Sequence, residues 1–151
     1  MLLQRKAFTM IEIMFVIVIV GILSAVAIPK FAANRDTAII SKARDTVASV
    51  RSSIATERQK RILRGDFTPI TSLASVTGYN QPIFDAFDGN TSNPVLEYSL
   101  RSCKDGSKDG CWVHTGSNYI YKIPISGSAT FKLQNNHFNC TSGSVCDKLT
   151  R

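Results

Sequence analysis

Residues 8–28, FTMIEIMFVIVIVGILSAVAI, form an apolar run broken by a single carboxylate, Glu12, close to its start. The uninterrupted part, Ile13 to Ile28, makes about 24 Å of helix, short of a roughly 30 Å hydrocarbon core. Counting from Phe8 gives about 31 Å, enough to span, with Glu12 taken in near the membrane edge. An unpaired charge in lipid is costly and calls for a partner. Arg5 and Lys6 precede the run and Pro29 follows it directly, with no small-residue cleavage motif behind it. The segment is therefore expected to stay on the chain, unlike a secretory signal.

The remainder differs in character. Outside the run the 151 residues are rich in Ser, Thr, Asn, Asp and Gly, which fits one modest polar domain on a hydrophobic stem. Ile40, Ala43, Val47, Val50 and Ile54 repeat at 3-4-3-4 spacing, an apolar stripe on one face of a helix. Residues 30–64 contain no glycine or proline, and Gly65-Asp66 supplies a stop. Pro29 is expected to kink this helix rather than end it. Because the stripe is narrow, the helix should lie on a sheet and leave a basic face open. That face is marked: residues 30–64 carry nine bases against three acids, within a net charge of +7. Such a surface suits solvent, an acidic neighbour in an assembly, or nucleic acid.

Residues 65–94, with Pro69, Gly78, Pro82, Gly89 and Pro94, read as a long connection holding short ordered pieces. Strand-like runs follow at 95–100, 111–114, 118–123, 129–133 and 137–140, with a hairpin between SNYIYKIP and SATFKLQNN. The fold expected is α+β: a long N-terminal helix packed on a small antiparallel sheet.

All four cysteines, Cys103, Cys111, Cys140 and Cys146, fall in the last third. An even number in a loop-rich region favours two disulfides and an oxidising compartment, which would put the C-terminal part outside the cell membrane. Zinc, with His114 and His137, is the rival, at spacings looser than the usual knuckles. Four cysteines allow three pairings, of which the local one, 103–111 with 140–146, is preferred. The loops CKDGSKDGC and FDAFDGN gather Asp105, Asp109, Asp85, Asp88 and Asn90, but turn chemistry accounts for both better than calcium does. Trp112 is expected in the core, and neither histidine sits in a catalytic constellation. No enzyme, cofactor or metal site is expected.

The stretch KAFTMIEIMFVIVIVGILSAVAIPKF closely resembles the N-terminal signature of type IV pilins and of the pseudopilins of type II secretion and DNA-uptake systems. The resemblance covers about the first 30 residues. It implies a pilin-like fold and a membrane prepilin peptidase that cuts between Ala7 and Phe8 and methylates the Phe8 amine; the family places glycine where this chain has Ala7. It also implies that Glu12 neutralises the amine of a neighbouring subunit during assembly. The expected organisation is a leader at 1–7, a transmembrane and assembly helix at 8–28, its amphipathic continuation at 29–64, and a periplasmic head at 65–151. The expected partners are copies of itself, other pilin-like subunits, the peptidase and an inner-membrane assembly platform. The expected function is a structural subunit of a secretion-like or competence pseudopilus; the alternative is a type IV pilus subunit that binds DNA through its basic helix face. A membrane-anchored periplasmic enzyme is a third possibility without a visible catalytic cluster.

Overall fold

Thr9 opens the first helix, α1, which spans Met10–Leu63 and contains Pro29. The computed structural model describes residues 8–107 and 110–150, so the expected leader with Ala7 lies outside the described residues, as does Asp109. The chain divides into two units, one ending at Arg35 and one starting at Asp36.

In the second unit the apolar stripe does what its spacing predicts. Ala43, Val47, Val50 and Ile54 are buried, and Ile40 packs against the same core. Val47, Val50 and Ile54, fully buried, each contribute roughly 1.5–3 kcal/mol by leaving water. Beyond Ile54 the same helical step lands on Glu57 and Arg61, so the stripe ends in a buried ion pair instead of a hydrocarbon. Gly65 then stops the helix. Its φ of +78° suits glycine, its N–H bonds to the Ile62 carbonyl, and the Asp66 N–H reaches back to Arg61. This double closure satisfies carbonyls that the helix end leaves free.

Residues 65–107 are mostly irregular. Two short strands, β1 (Pro82–Ile83) and β2 (Leu100–Arg101), pair antiparallel within them. The strand expected over 95–100 is therefore only its last residue plus Arg101. After Pro94 the chain buries Val95 and sends the Leu96 N–H to the Phe84 carbonyl, then turns Glu97 and Tyr98 out to solvent. One isolated backbone bond leaves no ladder to propagate.

Four further strands form an antiparallel meander in chain order: β3 (Cys111–Thr115), β4 (Asn118–Ile123), β5 (Gly127–Gln134) and β6 (His137–Gly143). The β4–β5 hairpin is the one the sequence announces. The β5–β6 turn is Asn135-Asn136, with both residues at positive φ, the conformation that matches strand twist in a two-residue hairpin. β6 runs on to Gly143, past the expected end at 140, with a register shift at Thr130/Phe131. A five-residue helix, α2 (Cys146–Thr150), closes the chain and buries Leu149.

The core lies between the α1 stripe and the inner sheet face. Trp112, Tyr119, Tyr121, Phe131 and Phe138 all enter it, joined by Phe84 from the long connection. Phe84 lies 5.3 Å from Trp112 edge-on and 5.6 Å from Tyr119 in a stack. Burial pushes the Tyr121 hydroxyl up to about 12, so it remains a donor to the Ile39 carbonyl of α1.

Candidate assembly site

Within the first unit, Met10–Ile28 is a helix with an almost wholly apolar surface, Glu12 its one charge. Met10–Ile28 is long and apolar enough to cross a membrane, and none of it is buried within the chain. Glu12 has a local partner that the sequence reading overlooked. Its N–H bonds to Thr9 Oγ1 at 3.3 Å, and its carboxylate faces the Thr9 N–H at 3.5 Å. Thr-Met-Ile-Glu is thus a capping box, in which residues at the first and fourth positions satisfy each other's orphan donors. Its signal, Thr followed three residues later by Glu at the head of an apolar helix, was present in the sequence. Only Glu12 Oε2 takes part in that contact. A weakly held carboxylate at a helix start is free to meet a second cation, and the positive end of the helix dipole favours it there.

In the second unit the basic face is less open than expected. Arg44, Arg51 and Arg58, seven residues apart, stand on one line along α1. Each donates to a backbone carbonyl of the head. Arg44 reaches Lys148 O through Nε at 3.1 Å and a terminal nitrogen at 2.7 Å; Arg51 Nε reaches Phe138 O at 3.0 Å. Arg58 reaches Phe67 O at 3.2 Å and Thr68 O at 3.3 Å. Lys148 O belongs to the last turn of α2, where carbonyls lack partners and a cation is favoured. The heptad of arginines therefore laces the helix to α2, to β6 and to the start of the connection. The charge run hid this because composition cannot tell a solvated arginine from one bonded to a distant carbonyl.

At the end of the stripe Arg61 bridges Glu57 (3.0 Å) and Asp88 (2.6 Å). Arg61 is only 8% exposed and Glu57 3%. The second carboxylate oxygen of Asp88 accepts the Thr71 N–H and hydroxyl and the Ser72 N–H. Burial alone would raise the Asp88 pKa. The bonds from Thr71, Arg61 and Ser72 outweigh it and hold the group below its usual value. Asp85 similarly accepts from the Ser75 N–H and hydroxyl. The aspartates of FDAFDGN thus fasten the long connection, and the described residues hold no cluster of three or more His, Cys, Asp or Glu.

The cysteines are joined as Cys103–Cys111 and Cys140–Cys146. The first bridge closes the loop before β3, where Gly110 packs on α1: a Cβ there would sit 2.8 Å from Ile39. The second ties β6 to α2. His114 is buried, bonds through Nδ1 to Val76 O and stacks on Tyr119 at 4.3 Å, whereas His137 is exposed. Trp112 is in the core.

Comparison with known proteins bears on the N-terminal segment. A family profile described as "Prokaryotic N-terminal methylation motif" matches residues 2–28. The chain is 46% identical over 61 residues to the type IV narrow pilus major component PilA5 of Thermus thermophilus, which covers 39% of this chain and 53% of that protein. It is 42% identical over 55 residues to a fimbrial protein of Moraxella nonliquefaciens, covering 36% of each. The chain thus spans about half of the first relative and about a third of the second. No solved structure matches it. With its apolar N-terminal helix and α+β fold, the chain carries the prokaryotic N-terminal methylation motif and is similar, over about its first two fifths, to type IV pilus and fimbrial proteins.

Proposed function

We propose that the chain is a filament subunit: it is cut between Ala7 and Phe8, methylated on the Phe8 amine, held in the inner membrane by residues 8–28, and polymerised through that segment with its head in the periplasm. The exposed apolar helix led by Glu12 carries this proposal. Nineteen hydrocarbon-rich residues with no cover inside the chain need lipid before assembly and neighbouring helices after it. Each new subunit brings one amine, and Glu12, four residues after Phe8, offers the carboxylate to meet it. Pro29 would let the helix bend where it leaves the bilayer. The partners are copies of itself and other pilin-like subunits, with a prepilin peptidase and an assembly platform upstream.

Among filament types, the relatives favour a pilus fibre over a secretion or competence pseudopilus, since both are described as pilus or fimbrial proteins. The test is the intact mass and N-terminal sequence of the chain from its host's membranes and from sheared surface fibres. Methylated Phe8 in the sheared fraction supports the pilus. Methylated Phe8 confined to membranes favours a pseudopilus. A chain that still starts at Met1 in both fractions rejects filament assembly by this route.

A further inference from the structure

Beside the β5–β6 turn, against one flank of α1, lies an open groove of about 530 Å³. Ile54 and Phe138, both buried in the core, line it together with exposed Ala55 and His137. Arg51 and Arg58, half-buried, line it too. Both arginines bond carbonyls of the head, but a carbonyl does not cancel a charge. Among the described residues neither arginine enters an ion pair, and no acid lines the groove. Apolar walls beside two uncompensated guanidinium groups suit an occupant with a ring and a carboxylate.

The chain presents such an occupant elsewhere, at Glu97-Tyr98. Tyr98 is 82% exposed, more than any other aromatic among the described residues. Glu97 is exposed and has no ion pair or hydrogen bond through its carboxylate. Asp45 and Asp147 are equally free, but each has a base as its neighbour and no aromatic. The pair is held on a fixed loop. Val95 before it is buried, the Leu96 N–H bonds Phe84 O, and Leu100 after it pairs with Ile83. Groups fixed in this way lose little freedom on docking.

Knob and groove lie on opposite flanks of α1. Pro94 and Val95 face Ser53 and Lys60, and Leu100 and Arg101 face Lys42 and Thr46. Ser53 and Lys60 follow Arg51 and Arg58 by two residues, about 200° round the helix. A chain therefore cannot fill its own groove, whereas a second copy can. Because two different surfaces meet, the contact repeats head to tail and builds an open array.

We infer that Glu97-Tyr98 of one copy docks in the groove of the next, the ring beside Ile54 and Phe138 and the carboxylate between Arg51 and Arg58. The inference rests on the filament reading and adds to it a contact between heads.

The test places photoreactive benzoylphenylalanine at Tyr98 of the full-length chain in its host. Membranes and sheared fibres are irradiated, and the joined peptides are identified by mass spectrometry. The expected product is a dimer of this chain, with the partner peptide from residues 51–58 or 135–139. Ala55→Trp, which fills the groove from an exposed position, and Glu97→Lys should each lower its yield at least about tenfold. A cross-link to another part of the copy or to a different protein overturns the inference. So does the lack of a dimer in both fractions, or a parental yield from both variants. Methylated Phe8 in sheared fibres judges the filament reading separately. Fibres whose cross-links miss the groove keep that reading and remove this one; a chain without fibres removes that reading, and the membrane fraction decides this one.

Discussion

At the scale of single residues, Glu12 has two tasks that different substitutions separate. As the fourth residue of a capping box it accepts the Thr9 N–H, and as a charge it is proposed to meet an incoming amine. Glu12→Gln keeps an acceptor at the cap and removes the charge; Glu12→Ala removes both. Loss of a cap costs about 0.5–2 kcal/mol of helix stability. If the charge matters for assembly, both variants should be cut and methylated yet scarce in sheared fibres. If Glu12 only caps, Glu12→Gln should give fibres at the parent's level. Asp88 offers a separate test through pH. Its folded pKa lies below the unfolded value, so the stability it adds is present above about pH 4 and is lost as pH falls through the folded pKa. Asp88→Asn should destabilise the head by about 1–3 kcal/mol at pH 7. The gap to the parent should narrow at pH 3 in urea melts of the detergent-solubilised chain. A gap that stays constant with pH would show that shape, not charge, holds the connection.

The element that matters most for the head is the second half of α1, held by an apolar stripe on one face and by arginines along its flank. The stripe positions cannot be exchanged for polar residues, but the flank can be tested. Arg51→Lys keeps the charge and loses the planar fork whose Nε bonds Phe138 O. Arg51→Lys and Arg51→Ala should therefore both lower stability, by about 1 kcal/mol each, if the carbonyl bond is what counts. A lysine variant as stable as the parent would return this face to being a solvated charge run. Gly110→Ala tests the contact at the other side of the helix, where the added methyl meets Ile39 and the backbone is at φ +71°. Loosening of the loop between Cys103 and Cys111, seen as faster amide exchange there, is the expected outcome. Much of this element was legible in the sequence. The 3-4 repeat set the buried face, Gly65 set the stop, and alternation set β4 and β5, because each signal is local. The arginine contacts were not legible, since their acceptors are carbonyls up to 104 residues away and any residue type can supply a carbonyl. Nor was the fate of residues 95–100: β-branched and aromatic composition suggested a strand, but no neighbouring strand was there to complete a ladder. Glu12 lay between these cases, its charge read at once and its capping partner, three residues away, passed over.

On the scale of the whole molecule, the two units rest on different physics, which makes them separable by chemistry. The unit up to Arg35 depends on a hydrocarbon surface and includes no cysteine, whereas both disulfides lie in the unit from Asp36 onward. The bridges join residues eight and six apart, so in the chain-entropy account each restricts the unfolded head by about 2–3 kcal/mol. That is a large share of what a domain of this size possesses, because small domains bury too little surface to be very stable. The Cys140–Cys146 bridge also holds α2, whose Leu149 is buried and whose Lys148 carbonyl anchors Arg44. Reduction should therefore release α2 first and loosen the Arg44 end of the lacing, then expose the aromatic core. The apolar segment has no reason to respond. In membranes isolated from the host, reductant should make the head sensitive to protease while the chain stays with the bilayer through an alkaline carbonate wash. Cys140→Ser with Cys146→Ser should reproduce the protease sensitivity without reductant, and more strongly near residue 146 than near residue 103. Release of the chain from the bilayer on reduction would contradict this division of labour, since it would mean that the folded head, and not residues 8–28, keeps the protein at the membrane.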